Sequence, residues 1–122
     1  MLPFKVKKYI SHNLAPPSSP GSIAVTVRSA TKMQVTWTAS DSGGRTDMYY
    51  IVEHSDPDNL GQFINSTCVQ SSASNHTFSS MKPGTQYCIQ VCTHNGVSDQ
   101  DSANDATRCK EACDTMDEAG KP

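Results

Sequence analysis

Apolar side chains recur at every second position in several short segments of the chain. The segments IAVTV (residues 23–27) and MQVTW (residues 33–37) both alternate in this way, and a polar break at residues 29–31 separates them. A two-residue period places successive side chains on opposite faces of a β-strand, so each segment presents one apolar face. Short strands of this kind, broken by turns and without a helical repeat, are typical of an all-β antiparallel sandwich.

The same alternation extends along the rest of the chain and predicts five further strands. They lie at residues 48–54, 62–69, 75–78 and 87–93, with a final strand within 103–113. The segment at 62–69 is expected at an edge of its sheet, and His54 and His76 fall on inward faces. The predicted structural core consists of Trp37, Tyr50, Val52, Pro83, Tyr87, Ile89 and Val91.

The length of the chain fits one folded domain with linkers. Its 122 residues are enough for a single hydrophobic core. We expect residues 1–15, which end near the Pro- and Ser-rich run APPSSPGS, to be a flexible N-terminal segment. The domain itself is predicted at 16–113, and the polar stretch at 114–122 is predicted to be a C-terminal tail.

A tryptophan in the second strand and a tyrosine corner before the sixth carry a family resemblance. Trp37 is followed about 50 residues later by MKPGTQYCIQV (residues 81–91), and together these resemble a fibronectin type III domain. The resemblance implies a seven-stranded, immunoglobulin-like antiparallel β-sandwich over about residues 16–113. It also implies that the Tyr87 hydroxyl bonds to upstream backbone, and that the module is not an enzyme.

Three loop segments carry a narrower resemblance. PPSSP, DSGGRTDMYY and NGVSDQ are similar to the matching segments of the membrane-proximal ectodomain repeats of Eph receptor tyrosine kinases, particularly the first repeat. In that family the first repeat usually carries a longer, cysteine-containing insertion after its third strand, whereas EHSDPDNLG in this chain is short and has no cysteine. The resemblance implies an extracellular spacer, part of an adhesion protein or receptor ectodomain, whose partners are proteins or neighbouring domains.

The five cysteines are the first candidates for site chemistry. They are Cys68, Cys88, Cys92, Cys109 and Cys113. Residues four apart on a strand are separated by about 13 Å, so Cys88 and Cys92 cannot share a zinc ion with Zn–S bonds of about 2.3 Å. We therefore expect disulfides in an oxidising compartment, and no metal or other cofactor.

The pairing of these cysteines stays open at the level of sequence. One antiparallel register joins Cys92 to Cys109 and at the same time brings Cys88 opposite Cys113, which leaves Cys68 unpaired. An alternative register joins Cys88 to Cys109. By strand alternation, Cys88 and Cys92 point outward, away from the core.

Charge and motif content exclude several other classes of function. Ten basic and twelve acidic residues give a net charge of −2, and they are not clustered by sign. The sequence therefore predicts no basic surface for binding nucleic acid. No apolar run is long enough to insert in a membrane, and residues 1–10 lack the apolar segment of a secretion signal. This absence favours either an internal fragment of an extracellular protein or an intracellular scaffold repeat with reduced cysteines.

Two kinds of exposed position are candidates for modification or binding. The sequons at Asn65 and Asn75 are candidates for N-linked glycosylation. Two predicted loops are candidates for contact with a partner, because loops on a rigid scaffold often carry binding residues. The loop candidates are Gly43, Gly44, Arg45, Asn95 and Gly96. No serine-elbow or Cys-His nucleophile spacing is present, and the isolated domain is expected to be monomeric.

Overall fold

The computed structural model describes residues 17–100 and 107–119, and the described part folds into seven strands, with a short 3₁₀ turn at Ser98–Gln100. The expected flexible segment at 1–15 and Pro16 lie outside the described residues. The elements are β1 (Ile23–Val27), β2 (Met33–Trp37), β3 (Tyr49–Asp56), β4 (Asn59–Gln70), β5 (Asn75–Phe78), β6 (Gln86–His94), the turn at Ser98–Gln100, and β7 (Cys109–Thr115).

The strands form two antiparallel sheets packed face to face. One sheet has the order β1-β2-β5, and the other has the order β4-β3-β6-β7. The predicted all-β, seven-stranded sandwich is therefore confirmed. As expected, the segment at 62–69 lies within an edge strand, β4, because only β3 pairs with it among the described strands.

The core lies between the sheets and is built from the inward residues of the alternating segments. Trp37 packs edge-on against Tyr50 with 5.3 Å between ring centroids, a favourable geometry for an aromatic pair. Pro83 differs from the prediction, since it is only half-buried and lies outside the core cluster. The buried cluster consists of Met33, Val35, Trp37, Tyr50, Val52, Phe78, Met81, Tyr87, Ile89, Val91 and Met116.

The tyrosine corner fixes the crossover into β6. The Tyr87 hydroxyl accepts a hydrogen bond from the backbone N–H of Lys82 at 2.9 Å. In the same corner, the Thr85 hydroxyl donates to the carbonyl of Pro83 at 3.1 Å. Pro83 thus shapes the turn before β6, and this role explains its place in the motif better than core packing does.

The C-terminal boundary must be corrected. The strand β7 continues to Thr115, and Met116 is only 3% exposed. Its backbone N–H donates to the Thr85 carbonyl, and Gly84 N–H donates to the Asp117 carbonyl, both at 2.9 Å. The expected tail at 114–122 therefore begins within the ordered domain, because one apolar residue in a polar stretch supplies an anchor that composition does not reveal.

The two ends of the described domain lie at opposite poles of the sandwich. Near the start, Ser18 N–H donates to the Asp41 carbonyl, beside the loop that connects β2 to β3. At the other end, residues 116–117 bond to Gly84 and Thr85, just before β6 begins. Since β6 runs the full length of its sheet, the chain enters at one pole and leaves at the other.

Candidate functional site

An ion pair within one loop, and a hydrogen bond from it to a second loop, lie at the pole where the described domain begins. The loops connect β2 to β3 and β6 to β7, and we call this end of the molecule the loop pole. Arg45 Nε lies 2.8 Å from Asp47 Oδ1, and Arg45 Nη2 donates to Asp47 Oδ2 at 2.9 Å. Asp47 Oδ2 also accepts the backbone N–H of Gly96 at 2.9 Å, so one carboxylate links both loops.

These contacts shift the ionisation of the pair. The hydrogen bond from Arg45 lowers the pKa of Asp47 from its ordinary value; burial opposes this shift, and the Gly96 N–H adds to it. The hydrogen bond to Asp47 correspondingly raises the pKa of Arg45. Both side chains are therefore charged at neutral pH, and the loop pole carries a pair of opposite charges in contact.

Asn95 braces the loop pole from inside. Its Oδ1 accepts the backbone N–H groups of Val97 at 2.9 Å and Ser98 at 3.0 Å. Its Nδ2 donates to the carbonyl of Ser42 at 3.1 Å, and the residue is fully buried. The side chain thus satisfies backbone groups in both loops, which a buried polar group must do to be tolerated.

The set of predicted partner-contact residues must be corrected accordingly. Asn95 and Gly43 are buried and cannot meet a partner. Gly44 is exposed, while Arg45 and Gly96 are half-buried. The accessible part of the predicted contact surface is therefore Gly44 with the edges of Arg45 and Gly96.

A second cluster at the same pole was not predicted. Tyr49 stacks on His94 with 5.3 Å between ring centroids and an interplanar angle of 18°. The Tyr49 hydroxyl donates to Asp99 Oδ1 at 2.8 Å, and His94 Nδ1 lies 3.5 Å from the same oxygen. Tyr49 and His94 are paired across β3 and β6, so the signal for this cluster is the strand register, which a single sequence does not give.

Two disulfides cross between β6 and β7. Cys88 is bonded to Cys113, and Cys92 is bonded to Cys109. This is the register in which both bridges form together, because the residues of each pair lie directly opposite one another. Cys88 and Cys92 point away from the core cluster, yet they are only 4% and 5% exposed. Cys68 is exposed and has no disulfide partner within the described residues.

The bridge between Cys92 and Cys109 borders an open depression on the outer face of the four-stranded sheet. The depression has a volume of about 340 Å³, and its walls include Ile51, Glu53 and Gln90 as well as the two cysteines. Gln90 Nε2 donates to Cys92 Sγ at 3.0 Å and to Cys109 Sγ at 3.4 Å. The Gln90 amide therefore donates hydrogen bonds to the sulfurs of the Cys92–Cys109 bridge.

The two sequon asparagines occupy different environments. Asn65 lies in β4 at a register shift, with a positive φ of 54°. Its Nδ2 lies 2.9 Å from His54 Nε2, and His54 Nδ1 lies 2.8 Å from the Ser55 carbonyl oxygen, so both ring nitrogens of the buried imidazole have hydrogen-bond partners. Asn75 is exposed in β5, opposite Thr36. Both asparagines lie on edge strands.

The described residues include no helix that is long and apolar enough to span a bilayer. Glu111 Oε2 lies 3.7 Å from Cys113 Sγ. The sulfurs of Cys88 and Cys113 are bonded to each other, so they are not free thiolates that could bind a metal together with this carboxylate.

Comparison with solved structures finds the same fold in domains of several proteins. Domains FN1 to FN3 of chicken CNTN1 match with a TM-score of 0.65 and 16% identity over 85% of this chain and 33% of that one. A human contactin 1 fn3 domain matches with a TM-score of 0.63 and 21% identity, over 90% and 88%. A human collagen alpha-1(XX) fn3 domain matches with a TM-score of 0.55 and 22% identity, over 92% and 91%.

Sequence comparison gives the family directly. A search of curated proteins found no match. The family model described as the fibronectin type III domain matches residues 18–108, well over half of the chain. This span contains Trp37, the tyrosine corner and six of the seven strands. The chain therefore belongs to the fibronectin type III family.

Proposed function

We propose that this domain is a non-catalytic spacer and protein-interaction module of an extracellular adhesion protein or a cell-surface receptor. The observation that carries the proposal is the position of the two ends of the described domain at opposite poles. A domain with its ends at opposite poles adds its own length between its two neighbours when the domains are joined in series. A domain whose ends lie side by side would add little distance between them. Domains of this family are generally non-catalytic.

The length that the module would add follows from β6, the strand that runs from the exit pole to the loop pole. The nine residues of β6 rise by roughly 3.3 Å each and therefore span about 30 Å. The rigid sandwich holds the loop pole at this distance from the exit point. A partner or a preceding domain would meet Gly44 and the Arg45–Asp47 pair, since these groups lie at the entry end.

An oxidising location is supported by the cysteines. Two disulfides within one small domain are common in extracellular proteins and rare in the cytosol. Glycans on Asn65 and Asn75 are part of this proposal, because both sequons lie on edge strands of the sandwich. A glycan on such a strand would also hinder the addition of a foreign strand at that edge.

The spacer role is tested by the distance between the two poles. Fluorescent amino acids incorporated at Ser19 and Asp117 avoid cysteine chemistry and preserve the disulfides. Energy transfer between them should report a separation of about 30 Å. A matched pair at Ser19 and Thr46, both near the loop pole, should report a much shorter distance. Equal distances for the two pairs would overturn the spacer proposal.

The location is tested separately. Antibody raised against this chain should label intact cells that produce it, and peptide-N-glycosidase treatment should convert occupied Asn65 or Asn75 to aspartate. Labelling that requires permeabilised cells would instead support an intracellular scaffold repeat with reduced cysteines.

A further inference from the structure

We propose that the two disulfides are chemically unequal, and that Cys92–Cys109 is an exchange site for low-molecular-weight thiols while Cys88–Cys113 is a protected structural bridge. The two bridges join the same two strands in the same register. They differ in the polar groups that lie beside their sulfur atoms, and those groups bear directly on thiol–disulfide exchange.

The Cys92–Cys109 bridge offers a route of attack and a stabilised leaving group. Both residues line the open depression on the outer face, and Cys109 is half-buried whereas Cys92 is only 5% exposed. An external thiolate therefore attacks Cys109 Sγ, and Cys92 Sγ departs. The amide of Gln90, 3.0 Å from Cys92 Sγ, donates a hydrogen bond to the thiolate that forms there.

The incoming thiol supplies the electrons for reduction of the Cys92–Cys109 bridge. Its sulfur forms a mixed disulfide with Cys109, the bond between Cys109 and Cys92 breaks, and Cys92 carries away the electron pair as a thiolate. A second thiol then attacks the mixed disulfide, releasing the external disulfide and the Cys109 thiolate. Two external thiols are oxidised and the protein bridge is reduced by two electrons.

The depression also contains one carboxylate, Glu53, which would repel an incoming thiolate. Its two oxygens are already engaged: Oε2 accepts the Ser66 hydroxyl at 2.6 Å, and Oε1 accepts Gln90 Nε2 at 3.4 Å. These donors, one on β4 and one on β6, disperse the charge of Glu53. The amide of Gln90 lies within hydrogen-bond distance of both bridge sulfurs, 3.0 Å from Cys92 Sγ and 3.4 Å from Cys109 Sγ.

The Cys88–Cys113 bridge has the opposite electrostatics. Glu111 Oε2 lies 3.7 Å from Cys113 Sγ. The carboxylate repels an approaching thiolate and disfavours a thiolate that leaves from Cys113. At the other end, Cys88 is only 4% exposed, so its sulfur is closed to attack. Exposure alone would predict the reverse order, because Cys113 is exposed and Cys109 is half-buried.

The test is site-resolved reduction of the oxidised protein in a Cys68→Ser background, which removes the free thiol. Protein is incubated with 2-mercaptoethanol in mildly alkaline buffer, quenched with acid at intervals, alkylated, and mapped by mass spectrometry. One hydrogen bond to a charged group corresponds to a rate factor of roughly ten or more, so Cys92 and Cys109 should be alkylated about tenfold faster than Cys88 and Cys113.

Two variants separate electrostatics from access. Gln90→Met keeps the size of the side chain but removes the amide, and it should slow opening of Cys92–Cys109 about tenfold without changing the other bridge. Glu111→Gln is isosteric and should speed opening of Cys88–Cys113 severalfold. Circular dichroism verifies that each variant is folded. If Gln90→Met does not fold, the rate of opening of Cys88–Cys113 in Glu111→Gln still tests the proposal. Equal rates, earlier opening of Cys88–Cys113, or no response to either folded variant would overturn the proposal.

Discussion

The Tyr87 hydroxyl makes a residue-level prediction. It is the partner of the backbone N–H of Lys82 at 2.9 Å, and Tyr87→Phe leaves that donor without an acceptor while keeping the aromatic ring in the core. We expect a loss of about 1–3 kcal/mol in the free energy of unfolding, measured by chemical denaturation. Tyr49→Phe is the matched control, because its hydroxyl bonds to the exposed Asp99. Equal losses for the two variants would contradict a special role for the corner.

His76 makes a prediction about pH. Burial lowers the pKa of His76 from its ordinary value of 6.5, so below that pH the unfolded chain binds a proton more readily than the folded chain. The free energy of unfolding should therefore decrease as the pH falls through this region, until His76 is also protonated in the folded state. Denaturation across this range, compared for the wild type and His76→Gln, isolates the effect. A variant with an unchanged pH dependence would contradict it.

At the level of elements, Met116 decides where the domain ends. It is 3% exposed and belongs to the core cluster, just after β7. Met116→Ala should destabilise the domain by about 2–5 kcal/mol, because a buried side chain is lost and a cavity remains. The exposed neighbour Thr115 is the control, and Thr115→Ala should cost far less. A negligible effect of Met116→Ala on the free energy of unfolding would instead support the C-terminal tail at 114–122 that the sequence predicts.

Sequence alone predicts the strands better than it predicts the C-terminal boundary of the domain or the side-chain clusters that join neighbouring strands and loops. Alternation identifies the inward residues of β2, β3 and β6, because a two-residue period directly reports the two faces of a strand. It does not give the register between strands, and the register is what brings Tyr49 to His94 and Cys92 to Cys109. The pair at Asn95-Gly96 reads as an exposed turn, but the amide of Asn95 is drawn inward by backbone groups of both loops.

At the level of the whole molecule, the two poles and the outer sheet face have separate roles. The Arg45–Asp47 pair and Asn95 connect the described parts of the two loops at the entry pole. The tyrosine corner at Tyr87 and the backbone hydrogen bond of Met116 hold the chain at the exit pole. Between them, the disulfides tie β6 to β7 on the face that points away from the core. This arrangement suits a module that holds its neighbours apart in an oxidising environment.

The thiol state of the protein in its own cells tests this account most directly. Protein is alkylated as the cells are lysed, without reduction, and each cysteine is then mapped by mass spectrometry. We predict that Cys88, Cys92, Cys109 and Cys113 are protected until a reductant is added, and that at most Cys68 is labelled, because the other four are paired. Labelling of all five cysteines before reduction would contradict an extracellular, disulfide-bonded module.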